Sequence, residues 1–141
     1  MIILDTNVLS ELMKPTPSAR VVAWGQKQSA RELFTTAITE AEIFYGIEML
    51  DKDKRREGLL AAAQAMFTED FRGRIFGFES DAARDFSRIA AHRRILGKPI
   101  SHADAQIAAI TRVHGARLAT RNVRDFADCG ILDVIDPWSV E

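Results

Sequence analysis

Apolar and polar positions follow two periods along this chain. Ile2-Ile3-Leu4 is a short, unbroken apolar run, the pattern of a strand buried on both faces. Thr6 can cap a helix running to about Met13, where Lys14-Pro15-Thr16-Pro17 breaks it. A second helix is predicted over 18–28, a strand over 33–37, and a helix from Thr39 to about Leu50. The charged stretch Asp51-Lys52-Asp53-Lys54-Arg55-Arg56 marks a turn or the polar start of another helix. Leu59, Ala63, Met66 and Phe67 have helical spacing after it. Arg74-Ile75-Phe76 reads as a strand. Ala82, Phe86, Ile89 and Ala90 form one face of a helix ending near Gly97-Lys98-Pro99. Ser101 caps a further helix to about His114, apolar nearly all round and therefore buried. Strands over 117–120 and 131–135 complete the series.

Strands separated by helices imply an α/β fold: three layers, with a mostly parallel central sheet and helices on both faces. In such sheets a binding site lies beyond the carboxyl ends of the strands, where the strand order reverses. The residues just after each strand are therefore the place to look for chemistry.

Length and composition narrow the classes. The 141 residues suit one domain spanning 1–141, without repeat, low-complexity tract or linker. With 19 Lys+Arg against 20 Asp+Glu the formal net charge is -1, so bulk charge provides no long-range hold on a polyanion. Any nucleic-acid contact has to come from local clusters or a partner. Cys129 is the only cysteine, which excludes an intramolecular disulfide and a Cys-based zinc site and agrees with a cytoplasmic protein. No basic segment with a longer apolar run precedes the first strand, so no signal peptide is expected. No run approaches the ~18 apolar residues of a membrane span.

Carboxylates stand where the crevice is expected. Asp5 follows the first strand directly, with Thr6 and Asn7 beside it. Glu42 lies in Thr39-Glu40-Ala41-Glu42 and Asp104 in Ser101-His102-Ala103-Asp104; each fits a capping box, in which the acid bonds back to the helix start. Capping and function are compatible, because the positive end of the helix dipole keeps a carboxylate ionised for a cation. Thr120-Arg121-Asn122-Val123-Arg124-Asp125 places an amide and a further acid beyond a fourth strand end. Clustered acids are costly unless a cation neutralises them, and oxygen-only ligands suit Mg²⁺ or Mn²⁺. Arg121 and Arg124 are the cations nearest these acids. Basic residues recur earlier at Arg84, Arg88, Arg93, Arg94, Lys98 and Arg112, and most of them read as solvated helix faces. His92, His102 and His114 lack zinc spacing; His102 alone is near an acid, where it could touch substrate. There is no glycine-rich phosphate loop.

Taken in order, these fragments resemble a known family. Asp5-Thr6-Asn7-Val8-Leu9-Ser10-Glu11 after an apolar strand, Thr39-x-x-Glu42, Ala103-Asp104-x-x-Ile107-Ala108-Ala109, Thr120-Arg121-Asn122 with Phe126, and Pro137-Trp138 are similar to PIN-domain proteins. Within them the chain resembles the VapC-type toxins of type II toxin–antitoxin pairs, closest to the FitB-like branch. The resemblance covers nearly the whole chain. It implies a three-layer α/β/α PIN fold and an endoribonuclease dependent on Mg²⁺ or Mn²⁺. Catalytic acids are carried onto Asp5, Glu42, Asp104 and Asp125, and metal ligands onto Asp5, Asp104, Asn122 and Asp125. Thr6, Asn7, Thr120, Arg121 and Arg124 take supporting or substrate roles. RNA cleavage to 5′-phosphate and 3′-hydroxyl ends, a homodimer, and inhibition by a cognate small DNA-binding antitoxin in a higher assembly are also implied. One departure is Asn122, where FitB-like chains allow an acid; either Asp125 is the fourth acid or Asn122 serves through its carbonyl oxygen.

Two other classes bear on the same residues. A haloacid-dehalogenase-type phosphatase would need a second Asp two residues after Asp5, where this chain has Asn7. A catalytically weak or inactive PIN-like module that binds RNA or a partner is the alternative that Asn122 favours.

Overall fold

The computed structural model describes residues 1–139; the last two residues of the expected 1–141 domain lie outside the described residues. Strand β1 (Ile2–Leu4) leads into helix α1 (Thr6–Leu12), then α2 (Ala19–Gln26), β2 (Leu33–Thr36), α3 (Ala37–Glu48) and α4 (Lys54–Ala65). A π-helical turn (Met66–Asp70) extends α4. β3 (Ile75–Phe76), α5 (Ser80–Ile95), α6 (His102–Val113), β4 (Arg117–Ala119) and β5 (Val134–Ile135) follow. The five strands are parallel, in the order β3-β2-β1-β4-β5, so the fold is the expected α/β arrangement.

The central strand shows why the sheet has two covered faces. Side chains alternate along a strand. Ile2 and Leu4 enter a cluster with Val8, Val21, Trp24, Ile43, Ile47 and Phe67, beneath α1 to α4. Ile3 points the other way, into a cluster with Ile89, Ile107, Ile110 and Leu118, beneath α5 and α6. All three β1 side chains are at most 1% exposed, as a continuous apolar run requires.

Three boundaries depart from the pattern. The cap of α1 is Asp5, whose carboxylate accepts the Thr6 N–H, rather than Thr6. α3 starts at Ala37: Thr36 is its cap, and the Thr36 hydroxyl oxygen accepts the Thr39 N–H at 3.1 Å. Thr39 is therefore inside the helix, fully buried, and Thr39-x-x-Glu42 is not a capping box. The final strand is confined to Val134–Ile135 because the chain turns through left-handed positions at Asp128 and Gly130 first. Gly130 has φ +73°, a conformation that favours glycine, and a Cβ there would also push the Arg112 guanidinium aside. Ser101 caps α6 as expected, accepting the Asp104 N–H.

Candidate active site

The strand order reverses between β1 and β4: from β1 the chain builds outward to β2 and β3, then returns to add β4 on the opposite side. Asp5 and Thr120 stand at the ends of these neighbouring strands. The Thr120 hydroxyl donates to Oδ2 of Asp5 at 2.7 Å, and the Thr6 N–H donates to Oδ1 at 2.8 Å. Asn7 links the same groups, its amide donating to Thr120 Oγ1 at 3.3 Å while its Oδ1 accepts the Arg121 N–H at 3.2 Å. Thr120 Oγ1 also accepts the Asn122 N–H. The sharp turn beyond β4 is thus tied to the first turn of α1.

Glu42 arrives from the second turn of α3. Its Oε1 accepts the Thr6 hydroxyl at 2.7 Å, which also lies 3.1 Å from the Thr39 hydroxyl. Asp104 comes from the first turn of α6. Burial pushes the Asp5 carboxyl up to about 6, against the hydrogen bonds from Thr120 and Thr6, and the negative charges of Asp104 and Glu42 push the same way. Burial also raises Asp104; Ser101 opposes this, Asp125 and Glu42 add to it, and Arg93 lowers it. Acids carried by the cap of α1, by α3 and by α6 therefore feel one another's charge; α6 follows α5 and not a strand, so Asp104 reaches the cleft from a helix–helix connection rather than from a strand end.

A cleft of about 460 Å³ joins these groups. Asp5, Thr6, Asn7, Glu42, Asp104, Arg121 and Asn122 line it. Thr120 sits just beneath, through its bond to Asp5. Arg124 and Asp125 do not line the cleft: they belong to a 3-10 turn (Val123–Phe126) that leads away from Asn122. Asp125 reaches the site through its charge on Asp104. Between the two candidates for the fourth position, the amide of Asn122 is thus at the cleft wall and the carboxylate of Asp125 outside it. His102 turns its ring edge-on to Phe86 instead of entering the cleft, and His114 stacks on Phe76.

Three lining residues were not foreseen: Ser10, Glu11 and Lys14. Ser10 and Glu11 lie three and four residues after Asn7, on its face of α1, and Lys14 follows just beyond the helix end; that spacing was the available signal. Lys14 donates to Glu11 at 3.0 Å and the Ser18 N–H donates to the same carboxylate, so both hold it below the usual range. Arg93 also corrects the sequence expectation. It is only 5% exposed rather than solvated. Its guanidinium donates to the carbonyls of Lys98, Asp125 and Ala127, with Cys129 Sγ at 3.4 Å. It clamps the segment before α6 to the loop after Asn122, on which the cleft wall depends.

The donor set fits a hard divalent cation. Every side chain that could bind one from the acidic wall offers oxygen, and none of the three acids has a basic partner within ion-pair distance among the described residues. No three of them close into a cage among the described residues. An open site agrees with the habits of Mg²⁺, which keeps several waters and takes one or two carboxylates together with a phosphate.

Fold and cleft define a three-layer α/β domain with an acidic site at its strand-order reversal. The PIN domain family model matches residues 2–131, and the chain belongs to the PIN-domain family. It is similar to a VapC ribonuclease of Sinorhizobium fredii, 38% identical over 138 residues that cover 98% of each chain. Toxin FitB of Neisseria gonorrhoeae is 35% identical over 138 residues, 98% of this chain and 99% of its own. Among solved structures, FitAB bound to a DNA fragment contains a chain that superposes with TM-score 0.92 at 35% identity, covering 100% of this chain and 98% of the other.

Proposed function

We propose that this chain is a metal-dependent endoribonuclease, the toxin of a type II toxin–antitoxin pair, which hydrolyses RNA phosphodiesters in the cytoplasm to 5′-phosphate and 3′-hydroxyl ends. The observation that carries this reading is the meeting of Asp5, Glu42 and Asp104 around one cleft with no basic side chain in ion-pair contact with any of them among the described residues. The ribonuclease and toxin names of its close full-length relatives support it.

Asp5 and Asp104 would hold Mg²⁺ or Mn²⁺, with the carbonyl oxygen of Asn122 as a further donor and Asp125 adding its charge from outside the cleft. Bound there, the ion supplies Lewis-acid polarisation of the phosphoryl oxygens and neutralises the acids. Thr6 and Thr120 fix two of the carboxylates, so their free lone pairs are aimed before substrate arrives. Glu42, bound by Thr6 through Oε1, orients the attacking water with Oε2 and takes its proton. The water oxygen bonds to phosphorus in line, the bond from phosphorus to the 3′-oxygen breaks, and that oxygen leaves with a proton as the 3′-hydroxyl. The 2′-hydroxyl takes no part, so preference for RNA rests on binding. The test is cleavage of RNA by the purified protein with Mn²⁺ and its loss in Asp5→Asn and Asp104→Asn; either variant cleaving at the wild-type rate overturns the assignment.

The proposed partner is a small DNA-binding antitoxin, joined to a homodimer of this chain in a higher assembly. The similar solved complex is named as FitAB bound to a DNA fragment, which supports a partnered, DNA-associated form. An apolar groove of about 470 Å³ between α1, α3 and α4 runs into the acidic cleft, sharing Thr6, Ser10, Lys14 and Glu42 with it. A partner helix could bury apolar side chains there while its Arg or Lys pairs with the acids in place of metal. Co-purification from the native operon, followed by cleavage assays with the partner added back, is the direct check. The second reading, a catalytically weak or inactive RNA- or partner-binding module, is favoured by Asn122. Stabilisation by Mn²⁺ without RNA cleavage would support it.

A further inference from the structure

Two cations line the acidic cleft, and they are used differently. Lys14 is committed to Glu11 at 3.0 Å. Arg121 has no carboxylate within ion-pair distance among the described residues, although Asp5, Glu11, Glu42 and Asp104 line the same cleft. A guanidinium beside four acids is expected to fall onto one of them. Here its carbon lies 5.0 Å from the ring centroid of Trp138 instead. Its backbone is held as well, by Asn7 Oδ1.

Trp138 is itself anchored. Its backbone N–H donates to Asp136 Oδ1 at 2.9 Å, its backbone carbonyl accepts from Arg20 at 3.2 Å, and its ring packs against the buried cluster beneath α1 to α4. An indole face holds a guanidinium by cation–π attraction while leaving the in-plane N–H donors free. Those donors match the oxygens of a phosphodiester, which Arg grips in bidentate fashion.

We propose that Trp138 is a positioning residue: it keeps the Arg121 guanidinium off the cleft carboxylates and presents it to a backbone phosphate of RNA next to the scissile bond. The proposal rests on the nuclease reading. Arg121 contacts substrate; Trp138 acts only through Arg121. Losing the indole releases Arg121 onto the acids, so the phosphate contact is lost although the arginine remains.

The test is binding of a short fluorescein-labelled single-stranded RNA to the metal-free full chain, followed by anisotropy across a salt series. Arg121→Gln is expected to weaken binding about tenfold, the worth of one charge-assisted contact. It should also reduce the salt slope by about 0.7, the share of a single phosphate on a single strand. Trp138→Leu should weaken binding to the same degree, Trp138→Phe by only about twofold, because a phenyl face still holds a cation. Adding Trp138→Leu to Arg121→Gln should cost nothing more. Should Trp138→Leu unfold at the assay temperature, the same cycle run with Trp138→Phe decides by whether its effect vanishes in the Arg121→Gln background. Independent effects of the two substitutions, or unchanged affinity in Trp138→Leu, overturn the role of Trp138 while leaving the nuclease reading intact. No RNA binding by the metal-free wild-type chain at any salt overturns the roles of Arg121 and Trp138 alike, while the nuclease reading is decided separately by the cleavage assay with Mn²⁺.

Discussion

Thr120 and Asp5, 115 positions apart in the chain, are joined by a 2.7 Å hydrogen bond across the ends of the neighbouring strands β1 and β4. That bond is the strongest influence opposing the burial that raises the Asp5 carboxyl. The outcome, a carboxyl near 6 in the metal-free chain, makes Asp5 costly to ionise in the folded state and responsive to any cation that enters.

The pH dependence of stability follows. Below 3.8 Asp5 is protonated in the folded and unfolded chain alike; between 3.8 and about 6 only the folded chain retains the proton. Rising pH therefore removes stability across that window, by about 3 kcal/mol at full effect. Asp5→Asn abolishes this contribution. Thermal melts in chelator should show the variant gaining on the wild type from about pH 4 to about pH 7. Mn²⁺ should raise the wild-type melting temperature and leave that of Asp5→Asn nearly unchanged. Parallel melts at every pH would mean that Asp5 pays no desolvation.

Glu42→Gln distinguishes chemistry from helix formation. Glu42 lies in the second turn of α3 and caps nothing; its contact is with the Thr6 hydroxyl, which a glutamine carbonyl can accept equally well. Stability should change by no more than about 0.5 kcal/mol. The rate of RNA cleavage should fall by about 100-fold or more, as loss of a general base does. Single-turnover cleavage beside a chemical melt checks both.

Asn122→Asp adds an acid to the cleft wall. Without metal it should destabilise the chain, because a further negative charge joins Asp5, Glu42 and Asp104. With Mn²⁺ it should bind the ion more tightly, so the gap between metal-free and metal-loaded melting temperatures widens. A calorimetric titration with no tightening would show that Asn122 stands outside the ion's reach.

Arg93→Met should cost about 2 kcal/mol, because it removes the buried guanidinium that donates to the half-buried carbonyls of Lys98, Asp125 and Ala127. The loss should be local at first. Hydrogen exchange of residues 122–129 should accelerate under conditions in which β1 stays protected. Arg93→Lys should recover only part, since one ammonium cannot span the same acceptors.

The repeating strand and helix pattern was legible from period alone, because it arises from which face of each element leaves water. Ile2-Ile3-Leu4, the apolar α6 and the acids after β1 and β2 belong to that local grammar, and parallel connectivity followed from helices between strands; Asp104 instead follows α5, a helix–helix connection that the pattern did not reveal. The start of α3 was not legible. Thr36 and Thr39 are both competent caps, and the choice falls to Thr36 because β2 pairs through that residue and Thr39 is packed out of solvent. The fates of the arginines were undecidable in the same way. Arg93, Arg121 and Arg124 look alike in sequence, yet one is buried as a clamp, one is stacked on Trp138 at the cleft, and one is exposed beyond it. Sequence determines which groups a chain can bring to a strand end, through interactions a few residues long. What each charged side chain meets there depends on segments from tens to more than a hundred residues away, and only the closed tertiary structure, by setting burial and partner together, decides it.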